Sequence, residues 1–318
     1  MKVGIVGAGM VGSATAYAMA MRGIGREIVL VDIVAERAIA EANDIQHALT
    51  FAPHPMQINA GEYRDLKGSA VVVITAGLPR KADQSRLELL EANARIFQDM
   101  IPKILKHVSD AVLVVVSNPV DIMTHLTERY AAEYGVPSHR VLGTGTGLDT
   151  ARFRAALGRY LGVDAKHVDG YVIGEHGDSQ VIAWSAVTVG GVPLELFCRQ
   201  REIKMDAETQ KTLQDDIRRG GAAIIAGKGA TYYGIGSVTA SIVEVILRNE
   251  QAVLTVCTPT AEVEGVPDVT LSLPRLVTGS GVLDTFSLRL SRQEQMDLRK
   301  SAEVIRGAIE SLDKAMSR

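Results

Sequence analysis

Three polar segments of this chain combine residue types that can do chemistry. In "GEHGDS", residues 174–179, His176 stands between two glycines in a short loop, and an exposed imidazole is expected there. Imidazole is the side chain best suited to exchange a proton near neutral pH. In "LDTARFR", residues 148–154, Asp149 and Arg152 are three positions apart and so project from nearly the same face of a helix. Two accounts fit that spacing: a partner for His176 beside a cation for an anionic substrate, or an acid favoured by the helix dipole with its salt-bridge mate. In "AGLPRKADQSR", residues 76–86, Arg80, Lys81 and Arg86 follow the apolar run "SAVVVIT", a cationic loop at the mouth of a buried strand. The other histidines, His47, His54, His107, His125, His139 and His167, lie in helical or loop contexts and read as surface or packing residues.

A fourth segment, "GAGMVG", is a GxGxxG that follows a strand and opens a helix within the first twelve residues. Gly7 permits a tight turn, Gly9 lets a pyrophosphate approach the backbone, and Gly12 lets the helix pack closely. The N–H groups of the first helical turn, including Met10 and Val11, are then left facing phosphate. The second strand ends at Asp32, 20 residues after Gly12, the spacing at which a carboxylate accepts the adenine ribose diol. An acid there repels a 2'-phosphate, which favours NAD over NADP. Asn118, in "SNPVD" after the fifth strand, falls at the carboxyl end of the sheet where ligands of doubly wound folds bind, or is a turn residue before Pro119.

The elements that must position these groups follow from the hydrophobic pattern. "KVGIVGAG", "EIVLVD", "MQINAGE", "SAVVVITAG", "AVLVVVSNP" and "RVLG" read as six short strands rich in Val and Ile. Helical patterns lie between them, among them "SRLELLEANARIFQDMIPKILKHV" with apolar residues near a 3.6 period. Alternating strand and helix implies a parallel sheet covered on both faces. The expected fold class is therefore α/β, an N-terminal Rossmann doubly wound sheet over residues 1–143 joined to a C-terminal α+β substrate domain over 144–318. The second part opens with the helix "LDTARFRAALGRYLG". Short antiparallel strands with Gly turns, a helical segment from about Asp206 to Arg248 broken at "GKGATYYGIG", two strands and a final helix follow.

Composition agrees with a globular chain: 318 residues, 47% hydrophobic and 22% charged, with a formal net charge of -3. That balance lacks the basic excess that nucleic acid or an anionic membrane would call for. Cys198 and Cys257 are far apart and outside any metal-ligand spacing, so no disulfide framework and no metal site are expected. A reactive-thiol oxidoreductase is likewise disfavoured, and a reducing cytoplasm is the expected location. The glycine-punctuated stretch from Met1 to Met21 reads as a strand running into a helix rather than as a secretory signal.

Taken together and in order, "GAGMVG", "ITAGLPRK", "SRLELLEANARIF", "SNPVD", "LDTARFR", "GEHGDS" and "KGATYYGIG" closely resemble the L-lactate and malate dehydrogenases. The resemblance implies hydride transfer between NAD and C2 of a 2-hydroxy acid. His176 is then the proton acceptor, Asp149 holds its tautomer, and Arg152 pairs with the substrate's C1 carboxylate. Arg86 polarises the carbonyl from a closing loop, Asn93 meets the cofactor, and Asn118 meets cofactor and substrate. Family members form dimers or tetramers, so a homo-oligomer is expected; "AERAIAEANDIQHAL" reads either as a contact surface or as an ordinary sheet-covering helix. Fructose bisphosphate activation, known among bacterial lactate dehydrogenases, is not expected: Arg154 matches the phosphate-binding Arg, but Asp169 stands where a His is required. A catalytically silent dinucleotide-binding protein has no need of His176, Asp149, Arg86 and Arg152 at once.

Substrate choice draws on two substrate-binding candidates that disagree. Arg80 falls where lactate dehydrogenases usually carry Gln and malate dehydrogenases carry Arg, while Thr231 resembles the lactate enzymes. A guanidinium closed over the substrate is unpaired opposite a methyl but paired opposite a second carboxylate. On that ground the expectation is an NAD-dependent malate dehydrogenase, with a place in the tricarboxylic acid cycle and a dicarboxylic substrate. L-lactate dehydrogenase, or mixed specificity, is the alternative.

Overall fold

The computed structural model describes residues 1–78 and 86–316, with the backbone only at Arg86. Six parallel strands form its centre: β1 (Lys2–Val6), β2 (Glu27–Val31), β3 (Gln57–Ala60), β4 (Ser69–Ile74), β5 (Val112–Val115) and β6 (Val141–Gly143). They stand in the spatial order β3-β2-β1-β4-β5-β6, so the chain reverses direction across the sheet between β1 and β4. Except in the edge strand β3, where only Ile58 is buried, their side chains are almost all buried, which is why they read as continuous apolar runs rather than alternating ones. Successive residues still divide between two faces. Val6, Val31, Val72, Ile74, Leu113 and Val115 join one core, and Val3, Ile5, Ile28, Leu30, Val71, Val73, Val112 and Val114 join the other.

Helices α1 (Met10–Arg22) and α2 (Ala35–Ala48) cover the second of these faces, and α3 (Arg86–Leu105) and α4 (Val120–Ala132) cover the first. Helix α4 is absent from the hydrophobic reading because nearly its whole first two turns are buried, from Val120 to Thr127. A helix enclosed on all sides shows no 3.6-residue alternation.

The rest of the chain begins with α5 (Gly147–Leu161) and five two-residue strands: β7 (Val168–Asp169), β8 (Val172–Ile173), β9 (Val181–Ile182), β10 (Thr188–Val189) and β11 (Val192–Pro193). Then come α6 (Leu194–Gln200), α7 (Ala207–Lys228), α8 (Tyr233–Arg248), β12 (Ala252–Val263), β13 (Val266–Thr278), β14 (Gly281–Thr285) and α9 (Arg292–Met316). Helix α7 starts where the sequence placed it: the Asp206 side chain accepts the Thr209 N–H, the usual way an N-cap acid satisfies an orphan donor.

Two features tie this part to the first. Strand β12 pairs antiparallel with β6 through Cys257 and Gly143, extending the sheet to nine strands ending in β14. Helix α8 places Ala240, Ile242, Val243 and Ile246 in the same core as α1, and α9 places Leu298, Ala302 and Ile305 against the opposite face. No described helix is long and apolar enough to cross a membrane.

Candidate active site

The turn from β1 into α1 shapes the first half of the site. Gly7 has φ +106° and its N–H reaches Val31 O at 2.7 Å, drawing the turn under β2. A Cβ at Gly12 would lie 1.9 Å from Gly7 O, so only glycine lets α1 start this close to the turn. At Gly9 a Cβ would meet nothing within 4 Å, which leaves open space in front of the helix. Gly9 caps α1 without a side-chain hydrogen bond and the first turn carries no acid, so the N–H groups of Met10, Val11 and Gly12 remain available to an anion. Asp32 flanks that space. Its Oδ2 accepts the Ala8 N–H at 2.7 Å and its Oδ1 the Val34 N–H at 2.9 Å. The carboxylate is thus anchored, and its remaining lone pairs are free for a ribose diol. These residues fit a dinucleotide.

Asn93, buried on α3, bridges the ends of two strands: its Oδ1 accepts the Leu78 N–H at 2.8 Å and its Nδ2 donates to Asn118 O at 3.0 Å. Asn118 itself is exposed at the carboxyl end of β5, before a cis peptide bond to Pro119.

The second half is built around His176. Gly174, at φ +87°, starts the loop hard against α9, where a Cβ would come within 2.6 Å of Ser301 Oγ. His176 Nδ1 lies 2.6 Å from Asp149 Oδ2, and Arg152 donates from its guanidinium to Asp149 Oδ1 at 3.2 Å. Asp149 is thus both the partner of His176 and the salt-bridge mate of Arg152, one buried carboxylate holding the imidazole and the guanidinium together. The imidazole keeps 30% of its surface exposed, so it is half-buried rather than fully exposed as the sequence suggested. With Nδ1 committed to Asp149, Nε2 is the nitrogen left to meet a substrate.

Electrostatics follow from this geometry. Burial alone would lower the His176 pKa, but the hydrogen bond and charge of Asp149 outweigh it and hold the imidazole above its ordinary value. Burial alone would raise the Asp149 carboxyl, and the His176 and Arg152 contacts hold it below the usual range. Helix α7 passes close to the cation: a Cβ on Gly220 or Gly221 would approach Arg152 to 3.8 Å.

Thr231 lies half-buried in the connection between α7 and α8, with no described hydrogen bond to the His176 cluster. Arg80, Lys81 and the Arg86 side chain fall outside the described residues. Sequence reasoning passed over Asp121, which accepts the His176 main-chain N–H on its Oδ2 at 2.7 Å. It sits inside "SNPVD", and the only available signal was an acid at the start of a helix. Among the described residues no cluster of His, Cys, Asp or Glu could hold a metal ion.

Residues 1–143 match the family model described as the lactate/malate dehydrogenase NAD binding domain, and residues 146–315 match the alpha/beta C-terminal domain of the same family. The chain belongs to the lactate/malate dehydrogenase family. As a member it is an NAD-dependent 2-hydroxy acid dehydrogenase on the Rossmann-type sheet and C-terminal α/β architecture expected of that family. The L-lactate dehydrogenase of Geotalea daltonii is 52% identical over 98% of this chain and 100% of its own length. That of Thermus aquaticus is 48% identical over 98% of this chain and 99% of its own. The crystal structure of the minor L-lactate dehydrogenase from Enterococcus mundtii superposes with a TM-score of 0.93 at 38% identity, covering 98% of both chains.

These relatives overturn the malate expectation and the tricarboxylic acid cycle placement that went with it. That expectation gave one charged side chain, Arg80, more weight than the rest of the chain. Its premise was that the guanidinium is desolvated over the substrate, and residue type alone does not establish desolvation: a guanidinium that stays hydrated costs nothing opposite a methyl.

Proposed function

We propose that this dehydrogenase interconverts L-lactate and pyruvate. The observation that carries the reading is the His176–Asp149–Arg152 cluster, with one carboxylate holding both an imidazole and a guanidinium. Its occurrence in a chain 52% identical to an L-lactate dehydrogenase directs the reading to a monocarboxylic substrate.

Bound NAD would supply the hydride acceptor for C2 of lactate, and bound NADH the hydride donor for C2 of pyruvate. In this reading Gly7, Gly9, Met10, Val11 and Gly12 cradle the pyrophosphate, Asp32 holds the ribose, and Asn93 with Asn118 line the nicotinamide end. In lactate oxidation, neutral His176 receives the hydroxyl proton on Nε2 while Asp149 keeps the other proton on Nδ1. In pyruvate reduction, the imidazolium returns that proton to the carbonyl oxygen as the alkoxide forms. Arg152 has donors to spare beyond the one engaged by Asp149, and its planar fork suits the C1 carboxylate. Arg86 is assigned to the carbonyl oxygen by the family resemblance, and Thr231 to the wall around the substrate's methyl end.

The assembly proposed is a cytoplasmic homo-oligomer, dimer or tetramer. In support, α2 buries Ala38, Ala42 and Ile45 while its Ile39, and Phe51 in the turn that follows, stay exposed.

Steady-state rates with NADH and equal low concentrations of pyruvate and oxaloacetate test the substrate. Pyruvate is expected to be reduced at least about tenfold faster, the scale of discrimination that about 1.4 kcal/mol supplies. Faster reduction of oxaloacetate would overturn the proposal.

A further inference from the structure

A carboxylate with no Lys or Arg partner among the described residues stands behind the His176 loop. Asp121, in the first turn of α4, is only 2% exposed. Its Oδ2 takes the His176 N–H at 2.7 Å, and its buried Oδ1 has no hydrogen-bond partner among the described residues. No Lys or Arg pairs with it among the described residues. Burying an unpaired charge is costly, and a neutral acceptor could take the same N–H, so the hydrogen bond alone does not account for an acid.

Its surroundings supply the missing reason. Asp121 lies three residues beyond Asn118, so a single turn of chain carries a group at the cofactor edge and the hold on the histidine loop. Burial pushes the Asp121 carboxyl up to about 7, opposed by its bond to the His176 main chain and by the His176 charge. The loop also presents Glu175, a like charge, and β12 presents the Cys257 thiol. Asp149 and Arg152 of α5 act on the same imidazole, and Arg275 of β13 acts on Cys257. Asp121, held up by burial, and His176, held up by Asp149, therefore act on each other's charge.

We infer that Asp121 is a positioning residue for the proton transfer: Oδ2 fixes the His176 main chain to α4, and the carboxylate is a second negative group, after Asp149, beside the working imidazole. The inference rests on the lactate dehydrogenase reading for the substrate, whereas the anchor and the charge do not depend on it.

The test compares Asp121→Asn, which keeps an acceptor and removes the charge, with Asp121→Ala, which removes both. The full-length protein, loaded with NADH and carrying 13C at the histidine Cε1 positions, is titrated by NMR, with the His176 signal assigned by its loss in His176→Gln. In both variants the His176 midpoint is expected to move to lower pH by about one pH unit, the size of effect a neighbouring charge exerts. The alkaline limb of pyruvate reduction should move with it. At pH 6, Asp121→Asn should keep kcat within about threefold of the parent, while Asp121→Ala loses roughly tenfold or more with a smaller change in KM.

A purely structural role would lower the melting temperature and leave the midpoint in place, and that result overturns the inference. Equal kcat at pH 6 in the two variants removes the anchor. Should Asp121→Ala not fold, the Asp121→Asn midpoint still decides the charge. A parent that does not reduce pyruvate refutes the proposed function, while the NMR titration separately upholds or refutes the role of Asp121.

Discussion

His176 Nδ1 and Asp149 Oδ2 stand 2.6 Å apart, joining a half-buried loop to a buried acid in the first turn of α5. In the proposed reaction, the contact fixes which ring nitrogen carries the permanent proton, and so which one is free to exchange with substrate. It also makes the imidazolium an ion-pair partner rather than an isolated buried cation.

Removing the charge while keeping the shape tests this directly. Asp149→Asn should lower kcat for pyruvate reduction by about three to four orders of magnitude, the scale seen when a histidine loses its orienting carboxylate. The protein should stay folded and keep its affinity for NADH. Stopped-flow reduction and a fluorescence titration of NADH measure the two quantities, and a kcat within tenfold of the parent would refute the role.

The direction of the His176 shift sets the pH dependence. Its folded pKa is raised, so the imidazolium persists above the ordinary histidine range. Pyruvate reduction, which needs the proton, should stay high at neutral pH and fall as pH rises through that raised value. Lactate oxidation, which needs the neutral ring, should rise over the same interval. Profiles of kcat/KM in both directions check this, and limbs centred below about 6.5 would contradict it.

Gly12→Ala probes the cofactor turn. The new Cβ would sit 1.9 Å from Gly7 O, a backbone atom that cannot swing aside. Relief requires α1 to move off the turn and spoil the donors facing phosphate. NADH affinity should fall by more than about tenfold, and stability by about 1–3 kcal/mol as in other overpacked sites. Fluorescence titration and thermal melting read the two effects, and unchanged binding would show that the turn has slack.

Much of this was legible in the sequence, for identifiable reasons. Strands β1, β2, β4, β5 and β6 declared themselves because strands buried on both faces need nearly unbroken apolar residues, and Asp32 because its distance from the glycine turn is set by one strand–helix–strand unit. His176, Asp149 and Arg152 were legible as types, but only tertiary contact shows that they share one carboxylate. Helix α4 stayed hidden because enclosure erases periodicity, and Asp121 with it, since its value depends on a loop 55 positions away. Arg80 misled because its cost depends on whether water reaches it, which residue identity does not encode. The return of α8 and β12 to the first sheet was also out of reach: pairing between distant segments leaves no local mark.

That return has a consequence for how such enzymes can diversify. Because Cys257 pairs with Gly143 and α8 shares a core with α1, a cut after β6 would bare a strand edge on one fragment and an apolar helix face on the other. The nucleotide-holding piece is not a cassette that recombination can lift out intact. New specificities on this scaffold are more readily reached by point changes in its surface connections than by swapping its halves.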